Sequence, residues 1–366
     1  MKIAYDYSIF SSQSYGGISR YFYELALRLS KKNDCDVSIY SPVYRNEYIR
    51  NQVAVNVIGK YVYPFPKTGR LFNMLNQLVS PRLIHRDSPD IIHETYYLKN
   101  SYFSKIKAKS FITVYDMIHE KYSNHFKKKD HTTSNKKKAI ERADHVICIS
   151  ENTKIDLLEL FNVDPGKVSV IYLGSSFSNS DFIISNNIIA ASYLLYVGDR
   201  AGYKNFEGLL KAYSSSFRLR NDFKLVCFGG GSFTSKERNL IKTLELSEEN
   251  IFQCSGDDTV LANLYASASA FIYPSLYEGF GIPPLEAMTF KCPVVCSNTS
   301  SIPEVTGDAA EYFNPLSVEN IMNAVENVVY SNDRIHQLIN LGIERVKQFS
   351  WKKCADQTKA LYSSLL

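Results

Sequence analysis

Phe271-Ile-Tyr-Pro-Ser-Leu-Tyr-Glu-Gly-Phe-Gly-Ile-Pro-Pro-Leu-Glu-Ala-Met288 is the stretch around which the rest of the chain can be read. Ala270 to Tyr273 is a short apolar run stopped by Pro274, which reads as the end of a buried strand. Pro283 and Pro284 stand where a helix begins, because proline's fixed φ suits the first turn and its missing N–H is not needed there. Between strand and helix lie Glu278, Gly279, Phe280, Gly281 and Ile282. Glycines without Cβ let a ligand approach the backbone, and the N–H groups of a new helix attract anions. Glu286, expected in the first helical turn, can turn back toward the same ligand. The loop offers carboxylates for hydroxyl groups and amides for phosphates, which together suit a nucleotide-sugar. The plainer reading is a strand–helix loop whose glutamate merely offsets the helix dipole.

Glu278 and Glu286, with seven residues between them in this filling, resemble the E-x7-E motif of glycosyltransferase family 4, retaining enzymes of GT-B fold. Pro293-Val-Val-Cys-Ser297, Ser301-Ile-Pro-Glu-Val305 and Gly307-Asp-Ala-Ala310 continue the resemblance. It extends over nearly the whole chain and is strongest from Tyr193 to Pro315.

A chain of 366 residues is too long for one ordinary core, so two domains are expected. Residues 1–10 lack the long apolar core of a signal peptide, and no stretch approaches the apolar length of a membrane span. Seven cysteines form no C-x2-C pair and read as buried thiols in a reducing cytoplasm. From Lys121 to Arg142, eight Lys or Arg face only Asp130 and Glu141, an excess that accounts for the whole net charge of +5. Such runs are usually solvated faces. The sharper expectation is that Lys127–Lys138 makes a peripheral contact with an anionic membrane or a diphosphate-linked lipid. Nucleic acid fits poorly, since no aromatic platform accompanies the lysines.

In the first half, Lys2-Ile-Ala-Tyr5 is a strand, Gly16-Gly17 a tight loop, and Ile18 to Leu29 an apolar helical pattern. That arrangement suits phosphate at a helix N-terminus, although a turn explains two glycines equally well. Asp34-Cys-Asp36 has the D-x-D form of metal-dependent transferases but falls between a helix and the strand Val37–Tyr40, where it is taken as accidental. Ile91-Ile-His93 and Phe111-Ile-Thr-Val114 are strands that release the polar clusters His93-Glu-Thr-Tyr96 and Tyr115-Asp-Met-Ile-His-Glu120. Functional groups of open α/β sheets collect at such strand ends. For His93 or His119 the commoner outcome is a structural histidine. Ser150 reads as the cap of a further helix.

The second half restarts at Tyr193-Leu-Leu-Tyr-Val197, from which Arg200 and Lys204 leave together as two cations suited to a diphosphate. Lys224 to Phe228 runs into Gly229-Gly230-Gly231, a second close-approach loop. No G-x-G-x-x-G is present.

The reading is an α/β chain of GT-B type, two Rossmann-like domains facing across a cleft. Residues 1–175 with the crossover helix 351–366 form the acceptor-side domain, 176–190 the linker, and 191–350 the nucleotide-sugar-binding domain. The resemblance implies that Glu286 holds the ribose hydroxyls and Glu278 the transferred sugar. It further implies that Gly16, Gly17, Arg200 and Lys204 approach the donor diphosphate, so that no metal or other cofactor is required. It places the acceptor's proton on a donor phosphate oxygen, with Asp116 near the reacting groups. Many relatives have His-Asp where this chain has Tyr115-Asp116, and a tyrosine cannot reproduce an imidazole's proton handling near neutrality. The expected activity is transfer of a hexose, GDP-mannose-like donors favoured, to a glycan or lipid-linked saccharide in cell-surface polysaccharide synthesis at the inner face of the plasma membrane. The alternatives are a catalytically silent nucleotide-sugar-binding scaffold of the same fold and a GT-B epimerase.

Overall fold

A computed structural model describes residues 1–63, 68–100, 103, 106–126, 129–175, 177, 189–200, 202–247 and 249–366. Most of the expected linker at 176–190 lies outside the described residues, as do Lys127 and Lys128. The chain divides into one unit of Met1–Gly174 with Trp351–Leu366 and a second of Ser175–Ser350.

The first unit runs β1 (Lys2–Tyr5), α1 (Ser8–Ser12), α2 (Gly17–Leu29), β2 (Asp36–Tyr44), β3 (Asn56–Tyr61), α3 (Gly69–Asp87) and β4 (Ile91–Glu94). It continues through β5 (Lys109–Val114), α4 (Ile118–Lys121), α5 (Thr132–Arg142), β6 (His145–Cys148), α6 (Glu151–Leu160) and β7 (Val168–Val170). Its described strands pair in parallel in the order β3-β2-β1-β4-β5-β6-β7. Strands of a parallel sheet are covered on both faces, which is why β4 and β6 are buried at every position. Ser150 caps α6, its hydroxyl accepting from the Thr153 amide.

The second unit comprises β8 (Tyr193–Val197), α7 (Phe206–Ser215), α8 (Phe217–Asp222), β9 (Lys224–Phe228), α9 (Ser235–Thr243), β10 (Ile251–Cys254) and α10 (Asp258–Ser267). Then follow β11 (Ala270–Tyr273), α11 (Ile282–Thr289), β12 (Val294–Ser297), α12 (Ile302–Thr306), β13 (Ala310–Phe313), α13 (Val318–Val329) and α14 (Asn332–Val346). Its sheet is again parallel, in the order β10-β9-β8-β11-β12-β13. Leu194, Leu225, Ile272 and Val295 from four strands meet Leu209 and Val325 from the helices in its core.

In each sheet the chain winds outward one way, returns to the centre and winds out the other way. The reversal falls between β1 and β4 in the first sheet and between β8 and β11 in the second. Helices leave a crevice outside the strand ends at such a reversal, and ligands of open α/β sheets bind there.

The last helix, α15 (Trp351–Ser364), packs on the first unit. The Trp351 ring lies 6.2 Å from that of Tyr21, and the Tyr362 hydroxyl is 2.6 Å from His93 Nδ1. Lys32 pairs with Asp356 and Lys359 with Asp34, each at 2.5 Å. The D-x-D string is therefore a surface attachment, Asp34 holding α15 and Asp36 opening β2. His93 is a structural histidine whose Nε2 sits 2.9 Å from Thr113 Oγ1.

Burial pushes the His93 imidazole down to about 3, so it stays neutral in the folded protein while an unfolded histidine titrates near 6.5. Between those values the unfolded chain binds more protons, so stability falls as pH drops below 6.5. Acidification from pH 7 to 5 should cost the first unit about 2 kcal/mol through this residue. The chain's single tryptophan, Trp351, reports on that unit. Urea unfolding followed by its fluorescence at both pH values should lose that increment in His93→Gln, and equal pH dependence in the two proteins would contradict it.

Candidate functional site

The switch point of the second sheet is closed by one ion pair. Lys204 Nζ donates to both oxygens of Glu278, at 2.7 and 2.9 Å, joining the loop after β8 to the loop after β11. The Leu276 amide donates to the Tyr203 carbonyl at 2.8 Å and fastens the same two loops through the backbone. Lys204 lies against the rings of Tyr203 and Tyr273, 5.3 and 5.8 Å from their centroids. Burial pulls its ammonium down, but the facing Glu278 carboxylate outweighs this and holds Lys204 above its ordinary value. The Tyr273 phenol is pushed well up by burial and by the Glu278 charge, so it is a neutral donor here.

The Glu278 loop is supported from beneath by the turn after β12. Ser300 Oγ accepts from the Glu278 amide at 2.9 Å, and Ser301 Oγ contacts the carbonyls of Glu278 and Phe280 at 2.9 and 3.0 Å. Gly281 turns the chain into α11 at φ +103°, a left-handed conformation that favours glycine. Gly279 is buried, Ile282 half-buried, and Phe280 packs edge-on against Phe349 in the core. Glu286 sits in the second turn of α11, one turn later than expected, because the helix starts at Ile282 and both prolines fall inside its first turn. Dipole compensation therefore does not account for it. Its carboxylate is buried and accepts from the Tyr265 hydroxyl at 3.3 Å.

Arg200 departs from expectation. It does not stand open beside Lys204; its guanidinium, with a side chain 3% exposed, folds into the turn after β9. Nε donates to Glu237 Oε1 at 2.6 Å, and the terminal nitrogens donate to the carbonyls of Gly229, Gly230, Gly231 and Ser232 at 2.9–3.3 Å. Left-handed φ at the three glycines aims those carbonyls inward. At Gly230 a Cβ would come within 2.7 Å of Arg200. Glu237 is itself anchored, closing a capping box with Thr234 at the start of α9. The two cations thus hold two different loops.

In the first unit, Asp6 at the end of β1 accepts from the amides of Thr95 and Ser8 at 2.9 and 3.2 Å and from Ser8 Oγ at 2.8 Å. Burial raises this carboxyl against those hydrogen bonds. Glu94, at the end of β4, takes a two-pronged contact from Arg142, with Nε at 2.9 Å. Sequence reading assigned no role to Asp6 or Arg142, and took Glu94 only as part of the polar cluster His93–Tyr96. The signal available was a carboxylate at the end of each of the two strands that flank the reversal, Asp6 just after β1 and Glu94 closing β4. Gly16 caps α2 with a Cβ position blocked by Gln13, and beside Gly17 the space is open.

Asp116 accepts from the Ile118 amide at 3.0 Å and starts α4. Tyr115 is buried, its hydroxyl donating to the Thr95 carbonyl at 3.3 Å, and its phenol is pushed well above the ordinary range by burial. His119 stacks on Phe126 at 3.9 Å with Asp130 3.6 Å from its ring.

The basic tract needs a correction. Lys136 is 1% exposed and donates to Glu120 Oε2 at 2.8 Å and to the Asp116 carbonyl at 2.7 Å. It sits on the inward face of α5 beside Ala139 and Ile140, so it pins the Asp116–Glu120 segment and cannot meet a membrane. Among the described lysines of the tract, Lys129, Lys137 and Lys138 are exposed.

A family model described as Glycosyltransferase Family 4 matches residues 15–176, and one described as Glycosyl transferases group 1 matches residues 185–345. The chain is 28% identical over 327 residues to the O-antigen chain mannosyltransferase RfbU of Salmonella typhimurium, covering 88% of this chain and 90% of that protein. It is 31% identical over 243 residues to O-antigen chain mannosyltransferase B of Escherichia coli, covering 62% of each. Sucrose-phosphate synthase from Thermosynechococcus elongatus shares the fold at a TM-score of 0.78 and 20% identity, over 100% of this chain and 98% of that one.

Removing one partner of a buried ion pair leaves the other uncompensated, so Lys204→Met should destabilise the second unit by about 3 kcal/mol. The double variant Lys204→Met/Glu278→Gln should recover part of that loss. Calorimetry decides it, and additive losses in the two single variants would contradict a direct pair.

Proposed function

The chain belongs to glycosyltransferase family 4, of GT-B fold, and we propose that it transfers mannose from GDP-mannose to a growing glycan or lipid-linked saccharide with retention at the anomeric carbon. The observation that carries the reading is the two-pronged Lys204–Glu278 contact at the second switch point, with the buried Glu286 eight residues further on. The mannosyltransferase names of the two relatives favour mannose over other hexoses.

In this reading Glu286 accepts from the ribose hydroxyls and Glu278 from hydroxyls of the transferred sugar. Lys204 faces the diphosphate, where negative charge grows as the bond from C1 to the leaving oxygen breaks. The acceptor oxygen bonds to C1 on the same face, and its proton passes to a phosphate oxygen. Glu278 keeps Lys204 charged and aimed, at the cost of competing with the phosphate for it. Arg200 contributes by shaping the Gly229–Ser232 turn. It reaches phosphate itself only by exchanging carbonyl partners. Since Lys204 supplies the positive charge, EDTA should leave turnover unchanged.

A donor panel of GDP-mannose, UDP-glucose and dTDP-glucose in a thermal-shift assay should single out GDP-mannose, and the product's anomeric proton signal should report the α configuration. Glu286→Ala should weaken donor binding by about 1.5–3 kcal/mol through loss of a charge-assisted hydrogen bond. Donor affinity equal to wild type would remove Glu286 from the ribose. Lys204→Ala should lower kcat by about a hundredfold or more while acceptor KM changes little. Unchanged kcat, with EDTA then abolishing activity, would assign the leaving group to a metal.

A further inference from the structure

Three tyrosines meet at the carboxyl edge of the first sheet. Tyr15 lies in the segment between α1 and α2, Tyr23 on α2, and Tyr48 in the loop after β2. The Tyr15 ring stands almost perpendicular to that of Tyr48, centroids 5.5 Å apart, and Tyr23 stacks on Tyr48 at 6.0 Å with 17° between the planes. Arg20, on the same face of α2 as Tyr23, has its guanidinium carbon 6.0 Å from the Tyr48 centroid. Tyr23 spends its hydroxyl on Gln52 Oε1 at 3.2 Å, whereas Tyr15 is 68% exposed. Tyr61 is a contrast. Its hydroxyl donates to Glu47 at 2.5 Å and Arg50 covers its ring at 4.3 Å, so that tyrosine serves the fold.

The two loops that carry Tyr15 and Tyr48 are locked to each other. Asn46 is fully buried; its Nδ2 donates to the carbonyls of Gln13 and Ser14 at 2.9 and 3.2 Å, and its Oδ1 accepts from the Tyr48 amide at 3.1 Å. The Glu47 amide donates to the Ser14 carbonyl at 3.0 Å. An exposed ring on a fixed loop loses little freedom when it binds. Single exposed aromatics are ordinary, but this ring belongs to a pinned cluster. Among the described residues, Gln13 Oε1 and Arg45 Nε, on the same two loops, are buried without a hydrogen-bond partner. One lacks a donor and the other an acceptor, and a hydroxyl group is both. A pyranose brings C–H bonds on its face, which suit the negative face of an aromatic ring, and hydroxyls around its rim. Asp6 and Glu94 end strands at this same edge, where open α/β sheets bind ligands.

We propose that Tyr15 and Tyr48 form a stacking platform for the acceptor, and that the acceptor is a chain of neutral hexoses read beyond its terminal sugar. The proposal rests on the glycosyl-transfer reading and deepens it, because a platform of this kind distinguishes an oligosaccharide from a single sugar. Tyr23 and Arg20 hold the Tyr48 ring from α2 and act as positioning residues.

The test is titration with mannose and with linear α-linked mannose oligosaccharides up to the tetrasaccharide, read by calorimetry and by saturation-transfer NMR, with no nucleotide present. Wild type should bind the tetrasaccharide about tenfold or more tighter than mannose, with transfer strongest to sugar C–H protons. Tyr15→Ala should lose that gain at an unchanged melting temperature, since the side chain is already exposed, and Tyr15→Phe should keep it because the ring remains. A thermal shift with GDP-mannose, run separately, should be the same in wild type and Tyr15→Ala. The two readings therefore fail separately: a missing GDP-mannose shift in wild type removes the donor reading, and the saccharide titration still decides the platform. Three results would overturn the proposal. One is a tetrasaccharide bound no tighter than mannose. Another is full tetrasaccharide affinity in Tyr15→Ala. The third, from sedimentation velocity, is a wild-type dimer that Tyr15→Ala splits, which would make these rings an interface between two copies.

Discussion

The Lys204–Glu278 ion pair is the interaction that joins the loops after β8 and β11 in the second unit. A parallel sheet leaves its strand ends separated by loops that share no hydrogen-bond ladder, so something else must fix those loops against each other. Here that work falls to a charge pair, side chains 20% and 9% exposed, together with the Leu276–Tyr203 backbone hydrogen bond, at the reversal of strand order. Burial makes the contact strong and also makes either charge costly to leave alone. A site held this way has a carboxylate and an ammonium in one unit, each fixed by the other. The serines of the turn after β12 then fix the Glu278 backbone, so the carboxylate is positioned at both ends.

The first unit solves the same geometric problem with different chemistry. Asp6 ties the end of β1 to that of β4 through hydrogen bonds from Thr95 and Ser8, which are neutral donors. Next to it, Glu94 and Arg142 join β4 to the end of α5, and Lys136 on the same helix gathers Glu120 and the Asp116 backbone. Helix α5 is thus a support for the polar edge of the sheet. Its exposed Lys137 and Lys138 are what remains after Lys136 has been turned inward. On the far side of β1, helix α3 docks on β2 through Asn76 and Ser80 as well as through Phe72 and Ile84.

The strand–turn–helix plan was legible because buried parallel strands are continuous apolar runs, and the runs Tyr193–Val197 and Ala270–Tyr273 mark β8 and β11. The pairing of Glu278 with Glu286 was legible through its spacing. What stayed hidden depends on where a side chain turns after its backbone is placed. Lys136 looks like its neighbours in a run of lysines, and only the phase of α5 buries it. Arg200 and Lys204 look like a matched pair until three left-handed glycines present carbonyls to one of them. Asn76 and Ser80 look like solvent positions, and the leucines beside them like core, because periodicity marks a face without saying which side of it is covered. Asp6 went unassigned because a lone carboxylate after a strand carries no pattern, although its position after the central strand was readable.

We propose that a nucleotide-sugar is held at the switch point of the second unit, by the loops that Lys204 and Glu278 join. Hydrogen–deuterium exchange with and without saturating GDP-mannose tests it most directly. The account predicts slowed exchange in residues 202–205 and 276–286, with the edge strand β10 and helix α14 unchanged. Protection confined to residues 6–20 and 93–97, with 276–286 exchanging as in the free protein, would contradict it.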